Sequence, residues 1–284
     1  MPELPEVEVL VRHLKPLLQG RKVREVEVHR PKVLAPTLPR RFRQTVRGAE
    51  FVDVARRGKY LLFHLRAPKT SEPLLVVGHL GMTGRMYLLP PKAALPKHAA
   101  VVLELGREQF VFEDTRYFGR LTLDARSLER LGPEPLAAEF TPEGFGQELQ
   151  RSAQPVKVKL LDQSLVAGVG NIYASEALYR AGVSPRLAAR RLKPQQVERL
   201  WGAIREVLAE AIECGSTIPL NFSGSGDRDG LFYFGRVAGA PDFYEERLRV
   251  YDRANRPCSK CGTVIKRMVQ AARSTFYCPR CQCR

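Results

Sequence analysis

Cys258-Ser259-Lys260-Cys261 and, after sixteen intervening residues, Cys278-Pro279-Arg280-Cys281 are the stretch from which the architecture of this chain can be worked out. Two Cys-x2-Cys knuckles at that separation have the donor chemistry and spacing of a tetrahedral zinc site. Between them, Thr263-Val264-Ile265-Lys266-Arg267-Met268-Val269 and Ser274-Thr275-Phe276-Tyr277 read as two strands. Gln270-Ala271-Ala272-Arg273 joins them into a hairpin with Arg273 at its tip. So small a hairpin does not bury enough apolar surface to fold alone, and the metal is expected to hold it. Four thiolates close the coordination sphere, so the reading is one structural zinc ion; zinc as a catalyst is the weaker alternative. Cys283, separated from Cys281 by one residue, competes as a ligand, but the two-residue register in both knuckles is the better match. Cys214 reads as an inert thiol near a helix end.

Upstream, the periodicity turns helical. From Lys193 to Glu213 the apolar residues Val197, Leu200, Trp201, Ile204, Val207, Leu208, Ala211 and Ile212 recur at helical spacing and place one stripe on a core. Leu160 to Tyr179 reads as a short helix, a turn at Gly168-Val169-Gly170, and a second helix beginning at Asn171. Glycines there let backbone N–H groups approach a phosphate at a helix start. The alternative is a tight turn between helices with Asn171 as the N-cap.

The first 125 or so residues read differently. After an amphipathic helix with Val7, Leu10, Val11, Leu14, Leu17 and Leu18 on one side, short alternating runs follow at Val23–Val28, Phe51–Val54, Tyr60–Leu65, Leu74–Val77, Val101–Leu105, Phe110–Phe112 and Leu121–Leu123. Short strands between turns indicate a β-sandwich or barrel. The whole is therefore a multidomain α+β chain: a sandwich domain over 1–125, a linker over 126–150, a helical domain over 151–249 and a zinc-finger hairpin over 250–284. Three loops carry more than turn chemistry. Arg56-Arg57-Gly58-Lys59 sets three cations at a strand junction, Met82 lies between Gly81 and Gly84, and Arg116-Tyr117-Phe118-Gly119 couples a cation to aromatics. Each also has a plain reading: a solvated turn, a core methionine, a strand-end aromatic.

Charge narrows the partner. Lys and Arg number 46 against 30 Asp and Glu, a net charge of +16, which favours a polyanion. No basic amphipathic helix and no run of about 18 apolar residues supports a membrane role. The N-terminus lacks the basic and apolar segments of a signal peptide, so a cytoplasmic chain is expected, in which paired knuckles bind metal rather than form disulfides.

The opening Met1-Pro2-Glu3-Leu4-Pro5-Glu6-Val7-Glu8 adds chemistry. Methionine before a small residue is normally trimmed, which would expose the secondary amine of Pro2, with an unperturbed pKa of about 8. Such an amine attacks carbonyl-like carbon and forms an iminium, and Glu3 beside it is placed to move a proton. The plain alternative is a helix start, where proline and acid are both favoured.

Taken in order, Pro2-Glu3-Leu4-Pro5-Glu6-Val7-Glu8, Arg57-Gly58-Lys59-Tyr60-Leu61, His79-Leu80-Gly81-Met82, Arg116-Tyr117-Phe118-Gly119, Leu131-Gly132-Pro133-Glu134-Pro135-Leu136, Gly168-Val169-Gly170-Asn171-Ile172-Tyr173-Ala174-Ser175-Glu176 and the stretch from Arg273 to Gln282 resemble formamidopyrimidine-DNA glycosylase from end to end. The resemblance implies an N-terminal β-sandwich, a helix-two-turn-helix domain and a zinc finger. It also implies excision of oxidised purines, 8-oxoguanine and formamidopyrimidines, from damaged double-stranded DNA, followed by strand cleavage at the abasic site. Pro2 then resembles the Schiff-base nucleophile, Glu3 the acid that opens the sugar, Lys59 the proton donor of β-elimination and Arg273 the arginine of δ-elimination. Glu6 and Glu176 match active-site acids. His98, Arg116, Lys157, Gly170 and Asn171 match DNA-contacting positions, and Met82, Arg116 and Phe118 the trio inserted where the damaged nucleotide has left the helix. A monomer is expected. Two departures stand out: Pro219–Arg236 differs from the family's run at that place, and Ala153 stands where lysine is frequent. An endonuclease VIII-like enzyme for oxidised pyrimidines remains an alternative, although Leu4 favours the purine branch. A noncatalytic binder of damaged DNA is the other.

Overall fold

The computed structural model describes residues 2–68, 72–215 and 247–283. The departure at 219–236 lies outside them. The described residues form two compact units, one of Pro2 and Glu6–Glu129, the other of Glu3–Pro5, 130–215 and 247–283.

In the first unit, α1 (Leu4–Leu18) is followed by β1 (Glu25–Val28), α2 (Pro39–Val46), β2 (Glu50–Arg57), β3 (Tyr60–Arg66), β4 (Pro73–His79), β5 (Gly84–Leu89), β6 (Ala99–Glu104), β7 (Gln109–Asp114), β8 (Arg120–Thr122) and the short α3 (Arg126–Glu129). The strands form two four-stranded antiparallel sheets, ordered β1-β6-β7-β5 and β2-β3-β4-β8. This is the expected sandwich, and the alternation of the sequence explains it: Phe51, Val54, Leu61, Phe63 and Leu65 from one sheet are buried with Val101, Leu103, Phe110 and Phe112 from the other. Phe63 meets Phe51 and Phe110 edge-on, with ring centroids 6.1 and 5.5 Å apart, the arrangement aromatic quadrupoles prefer. The apolar stripe of α1, Val7, Leu10, Val11, Leu14 and Leu18, joins this core.

The second unit is helical until its end. It holds α4 (Pro142–Gln150), α5 (Val156–Leu160), α6 (Asn171–Arg180) and α7 (Pro194–Glu213), then the hairpin of β9 (Lys266–Gln270) and β10 (Arg273–Tyr277). The 126–150 stretch, expected as a linker, is packed from Phe140 onward: Phe140, Phe145 and Leu149 lie in the same core as Leu200, Ile204, Val207 and Leu208 of α7. The Leu131–Leu136 motif straps this core. Gly132 has no room for a Cβ, which would stand 2.2 Å from the Ser164 carbonyl oxygen, and Arg205 of α7 donates to the carbonyls of Pro135 and Ala137 at 2.8 and 2.9 Å while lying over the Trp201 ring.

Two expectations need correction. The short helix foreseen from Leu160 instead ends there, because the segment after it is tied by side chains: Asp162 accepts from the Ser164 amide at 3.0 Å, and Gln163 donates to Val169 O and accepts from the Gly168 amide, both at 2.9 Å. Side chains that satisfy the backbone locally compete with helix. At the hairpin, the turn is the two residues Ala271 and Ala272, both with left-handed φ, +46° and +59°, as a two-residue hairpin loop requires. Arg273 therefore opens β10, paired with Gln270, rather than sitting in the turn.

Truncating Leu200, which is fully buried, to alanine is expected to cost about 2–5 kcal/mol. Denaturant unfolding followed by the fluorescence of Trp201, the single tryptophan, checks it.

Candidate active site and nucleic-acid interface

The second unit assembles a polar cluster around the start of α6. Glu3 is buried, and its carboxylate accepts from the backbone amides of Ile172 at 2.9 Å and Tyr173 at 3.4 Å. These are donors that a helix start leaves unpaired, and the dipole there favours negative charge. Gly170 makes this possible: a Cβ on it would stand 2.2 Å from Glu3 Cδ. Gly168 does the same for the next residue, since its Cβ would stand 2.6 Å from the Leu4 side chain, while its carbonyl accepts from the Leu4 amide at 3.1 Å. The glycines thus admit Glu3 and Leu4, and the amides expected to meet a phosphate are already engaged by a carboxylate.

Asn171 is the first residue of α6, not its N-cap, which is Gly170. Its side chain is turned to other partners. Its Oδ1 accepts a short hydrogen bond from Lys157 Nζ, and its Nδ2 donates to the Ser274 carbonyl at 3.0 Å. Lys157 Nζ also donates to that carbonyl, at 3.1 Å. Lys157 is buried, and desolvation, offset in part by Glu3 and reinforced by Arg273, brings it down to about 8 from the ordinary 10.5. Arg273 is exposed at the start of β10, next to Ser274. Tyr251 completes the cluster. Its hydroxyl is raised by burial and bonded to Asn171, and its ring meets Phe276 edge-on at 5.2 Å. Neither Tyr251 nor the Ser274 carbonyl was legible in the sequence.

Glu176 sits about one and a half turns further along α6 and is buried. It accepts from three successive amides, Arg249 at 2.9, Val250 at 2.9 and Tyr251 at 2.7 Å. Burial raises its carboxyl and the three amides oppose that rise. Its observed occupation is to fasten the chain entering the zinc finger. There, the Sγ atoms of Cys258, Cys261, Cys278 and Cys281 all lie within 4.8 Å of one another, with Cys258 and Cys281 3.9 Å and Cys261 and Cys278 3.5 Å apart. Bonds of about 2.3 Å to a tetrahedral zinc ion give sulfur separations of about 3.8 Å, so the set fits one structural zinc. Gln282 braces it, accepting from the Cys278 amide at 2.9 Å and donating to Val183 O at 3.0 Å. Cys283 is exposed and outside the cluster.

The first unit carries the remaining candidates. Lys59 occupies the turn between β2 and β3, where Arg57 pairs with Tyr60, and it is buried. Gly58 supplies the left-handed φ of +56°. Arg56 steadies this turn by donating to Gly58 O at 3.1 Å and to Glu8 at 2.9 Å. Glu6 is fully buried in α1. Met82 and Phe118 are 42 % and 54 % exposed, so Met82 is not the core methionine of the plain reading. Arg116 is exposed beside Phe118, with its guanidinium 5.9 Å from the ring centroid. His98 is half-buried, and its Nδ1 lies 3.4 Å from the Tyr117 hydroxyl.

Comparison with known proteins places this geometry among zinc-finger DNA repair glycosylases. Residues 1–121 match the formamidopyrimidine-DNA glycosylase N-terminal domain, 131–222 the H2TH domain of the same enzyme, and 256–283 the zinc finger found in FPG and IleRS. A formamidopyrimidine-DNA glycosylase of Thermus thermophilus is 44% identical over 291 residues, covering 99% of this chain and 98% of the relative. A Lactococcus lactis FPG mutant solved with Fapy-dG-containing DNA superposes with a TM-score of 0.86 at 30% identity, covering 99% of each chain. MutM solved with carbocyclic 8-oxo-G-containing DNA gives 0.84 at 30% identity, again over 99% of each chain. The chain belongs to the formamidopyrimidine-DNA glycosylase family. No helix among the described residues is long and apolar enough to cross a membrane.

The depressed Lys157 has a signed consequence. Between about 8 and 10.5 the unfolded chain holds a proton that the folded one has released, so this lysine's contribution to stability rises with pH across that window. A DNA phosphate set against this lysine would reverse the preference and restore the charge. At pH 8 duplex binding should take up about half a proton at this site, and Lys157→Met should abolish that uptake and lower the salt slope by about 0.9. Calorimetry in buffers of different ionisation enthalpy, with binding titrations at several salt concentrations, reads both.

Proposed function

We propose that this chain excises oxidised purines, 8-oxoguanine and formamidopyrimidines, from duplex DNA through a Schiff base on Pro2, and then cuts the strand by β,δ-elimination. The observation that carries the reading is the anchoring of Glu3. Its carboxylate is fixed at the start of α6 by two amides, so the residue bonded to Pro2 has a defined position.

The steps follow from charge. With Met1 removed, the neutral Pro2 amine attacks C1′ and the bond to the base breaks, the base leaving with its electron pair. Glu3 takes the proton from the resulting tertiary ammonium nitrogen and delivers it to the ring oxygen as the sugar opens, the nitrogen lone pair then forming an iminium at C1′. The iminium withdraws electrons, the C2′ proton becomes acidic, and its loss expels the 3′ phosphate. A second elimination expels the 5′ phosphate. Lys59 supplies the proton in the first elimination and Arg273 stabilises the phosphate leaving in the second. Glu6 serves the same chemistry from α1, and Glu176 acts by holding 249–251.

DNA is held by cations aimed at phosphates and by a wedge. Lys157 and Asn171 bind the backbone, with Gly170 shaping the helix start behind them, and His98 and Arg116 contact the strand from the first unit. Met82, Arg116 and Phe118 fill the gap left by the extruded nucleotide, whose unstacking costs a few kcal/mol. The zinc ion shapes the hairpin that carries Arg273 and takes no part in the chemistry. Catalysis belongs to the sandwich domain of residues 1–125 and DNA binding to 151–249 and the finger of 250–284, in a monomer acting in the cytoplasm.

Borohydride added to the Met-trimmed protein and a duplex with one 8-oxoguanine opposite cytosine should trap a covalent adduct. Pro2→Gly should lower trapping by at least about a hundredfold. An adduct that persists in Pro2→Gly sinks the assignment, and binding without trapping on any lesion or abasic duplex would leave a noncatalytic binder.

A further inference from the structure

Two turns of the first unit carry the side chains that the proposed function sends into the duplex: one bears Met82, the other Arg116 and Phe118. We infer that Asp114 is a positioning residue that locks these turns into a single wedge and thereby governs extrusion of the damaged nucleotide. The inference rests on the proposed function and deepens it.

Asp114 is the last residue of β7 and is fully buried. Its Oδ1 accepts from the Thr83 hydroxyl at 2.5 Å and from the Arg116 amide at 3.1 Å. Its Oδ2 accepts from the Gly119 amide at 2.8 Å. One carboxylate therefore reaches the residue after Met82, Arg116 itself, and the residue after Phe118. A buried carboxylate with three donors is satisfied, whereas loss of its charge or of one acceptor leaves buried donors unpaired.

The backbones interlock as well. A Cβ on Gly81 would stand 2.6 Å from Gly119 N and 2.8 Å from Phe118 C, and one on Gly119 would stand 2.8 Å from the His79 carbonyl oxygen. Neither turn has space to move past the other. His79 adds a fourth tie, its Nδ1 accepting from the Gly81 amide at 3.1 Å. From the far side, Tyr117 holds a left-handed φ of +54°, an uncommon state for a bulky residue, while its hydroxyl accepts from Arg30 Nε at 3.0 Å. The sequence signal was there to find: Asp114 lies two residues before Arg116, the spacing of an aspartate that turns the chain by accepting from the amide two residues on.

Side chains on two independent turns would have to be ordered separately as they enter the stack, at a cost in free energy for each. Held as one body, they enter together. Asp114 touches no substrate in this account, so its loss should show in extrusion before it shows in the chemistry at C1′.

The test compares Asp114→Asn with wild type on two duplexes under single turnover with saturating protein, one carrying 8-oxoguanine and one a preformed abasic site that needs no base extruded. A 2-aminopurine beside the lesion reports unstacking by its fluorescence rise on binding. The expected result is a loss of about 10- to 100-fold on the intact lesion, at least about tenfold more than the loss on the abasic duplex, with a diminished aminopurine rise. Equal losses on both duplexes, or an unchanged aminopurine rise, overturn the clamp. Should Asp114→Asn fail to fold, Thr83→Val removes one donor and Thr83→Ser keeps it. Valine should show the same selective loss and serine wild-type behaviour, and identical behaviour of the two overturns the inference. Wild-type protein that neither excises nor cuts refutes the functional reading, and the aminopurine comparison then decides the clamp by itself.

Discussion

The second unit depends on what α6 is made to hold. Ten residues, Asn171–Arg180, meet four separate demands: the amides at the helix start bind Glu3, Asn171 joins Lys157 to the Ser274 carbonyl, Glu176 fastens 249–251, and the Tyr179 hydroxyl lies 3.2 Å from Cys258 Sγ. The N-terminal residue beside Pro2 and the metal-bound hairpin are thereby referred to one rigid rod. A helix is suited to this because its backbone is satisfied internally and its side chains point to several neighbours at a fixed 1.5 Å rise. Removal of any one partner would leave a buried polar group unpaired, at a cost of about 1–3 kcal/mol.

Buried charge is tolerated here only where geometry satisfies it. Glu3, Asp114, Lys157 and Glu176 are all nearly inaccessible, and each has backbone or side-chain partners within hydrogen-bonding distance. Apolar residues would pack in these positions with less desolvation cost. What the charges provide is a unique arrangement: a carboxylate accepting from amides of fixed direction tolerates little displacement, whereas a leucine would. Lys157 shows the limit, because its desolvation is incompletely offset and its proton is held less tightly than an exposed lysine's.

The parts of this arrangement that were legible in the sequence are those governed by period or fixed spacing. The α1 stripe, the α7 stripe, the alternating strands and the two cysteine knuckles each repeat a pattern that local physics dictates. Gly168 and Gly170 were visible as unusual, but their reason was not, since it lies in Glu3 and Leu4, more than 160 positions away in the chain. The helix start at Asn171 was legible, but the partners of its side chain, Lys157 and Ser274, were not, since they come from separate segments. The hairpin turn was misplaced because alanine seldom adopts left-handed φ, so nothing in Ala271-Ala272 announced a two-residue turn. Asp114 has the local spacing of a turn aspartate, but its ties to Thr83 and Gly119 and its burial, which single it out among thirty acidic residues, were not visible in the sequence.

Exposed apolar side chains carry the last step of the argument. Met82 and Phe118 stand in solvent within a unit whose other large apolar residues are mostly buried. Covering each would be worth about 1.5–3 kcal/mol if complete, so the unit forgoes stabilisation by keeping them out. That forgone stabilisation is of the same order as the few kcal/mol needed to unstack a nucleotide. The bonds of Asp114 and the close packing of Gly81 and Gly119 hold the two turns, and in the proposed function that leaves this apolar surface available for the base stack instead of letting it collapse onto its own protein. Cations alone would hold any duplex; under the proposed function the outward apolar pair would make binding favour a duplex that has already lost a nucleotide from its stack, which is where the chemistry assigned to Pro2 would begin.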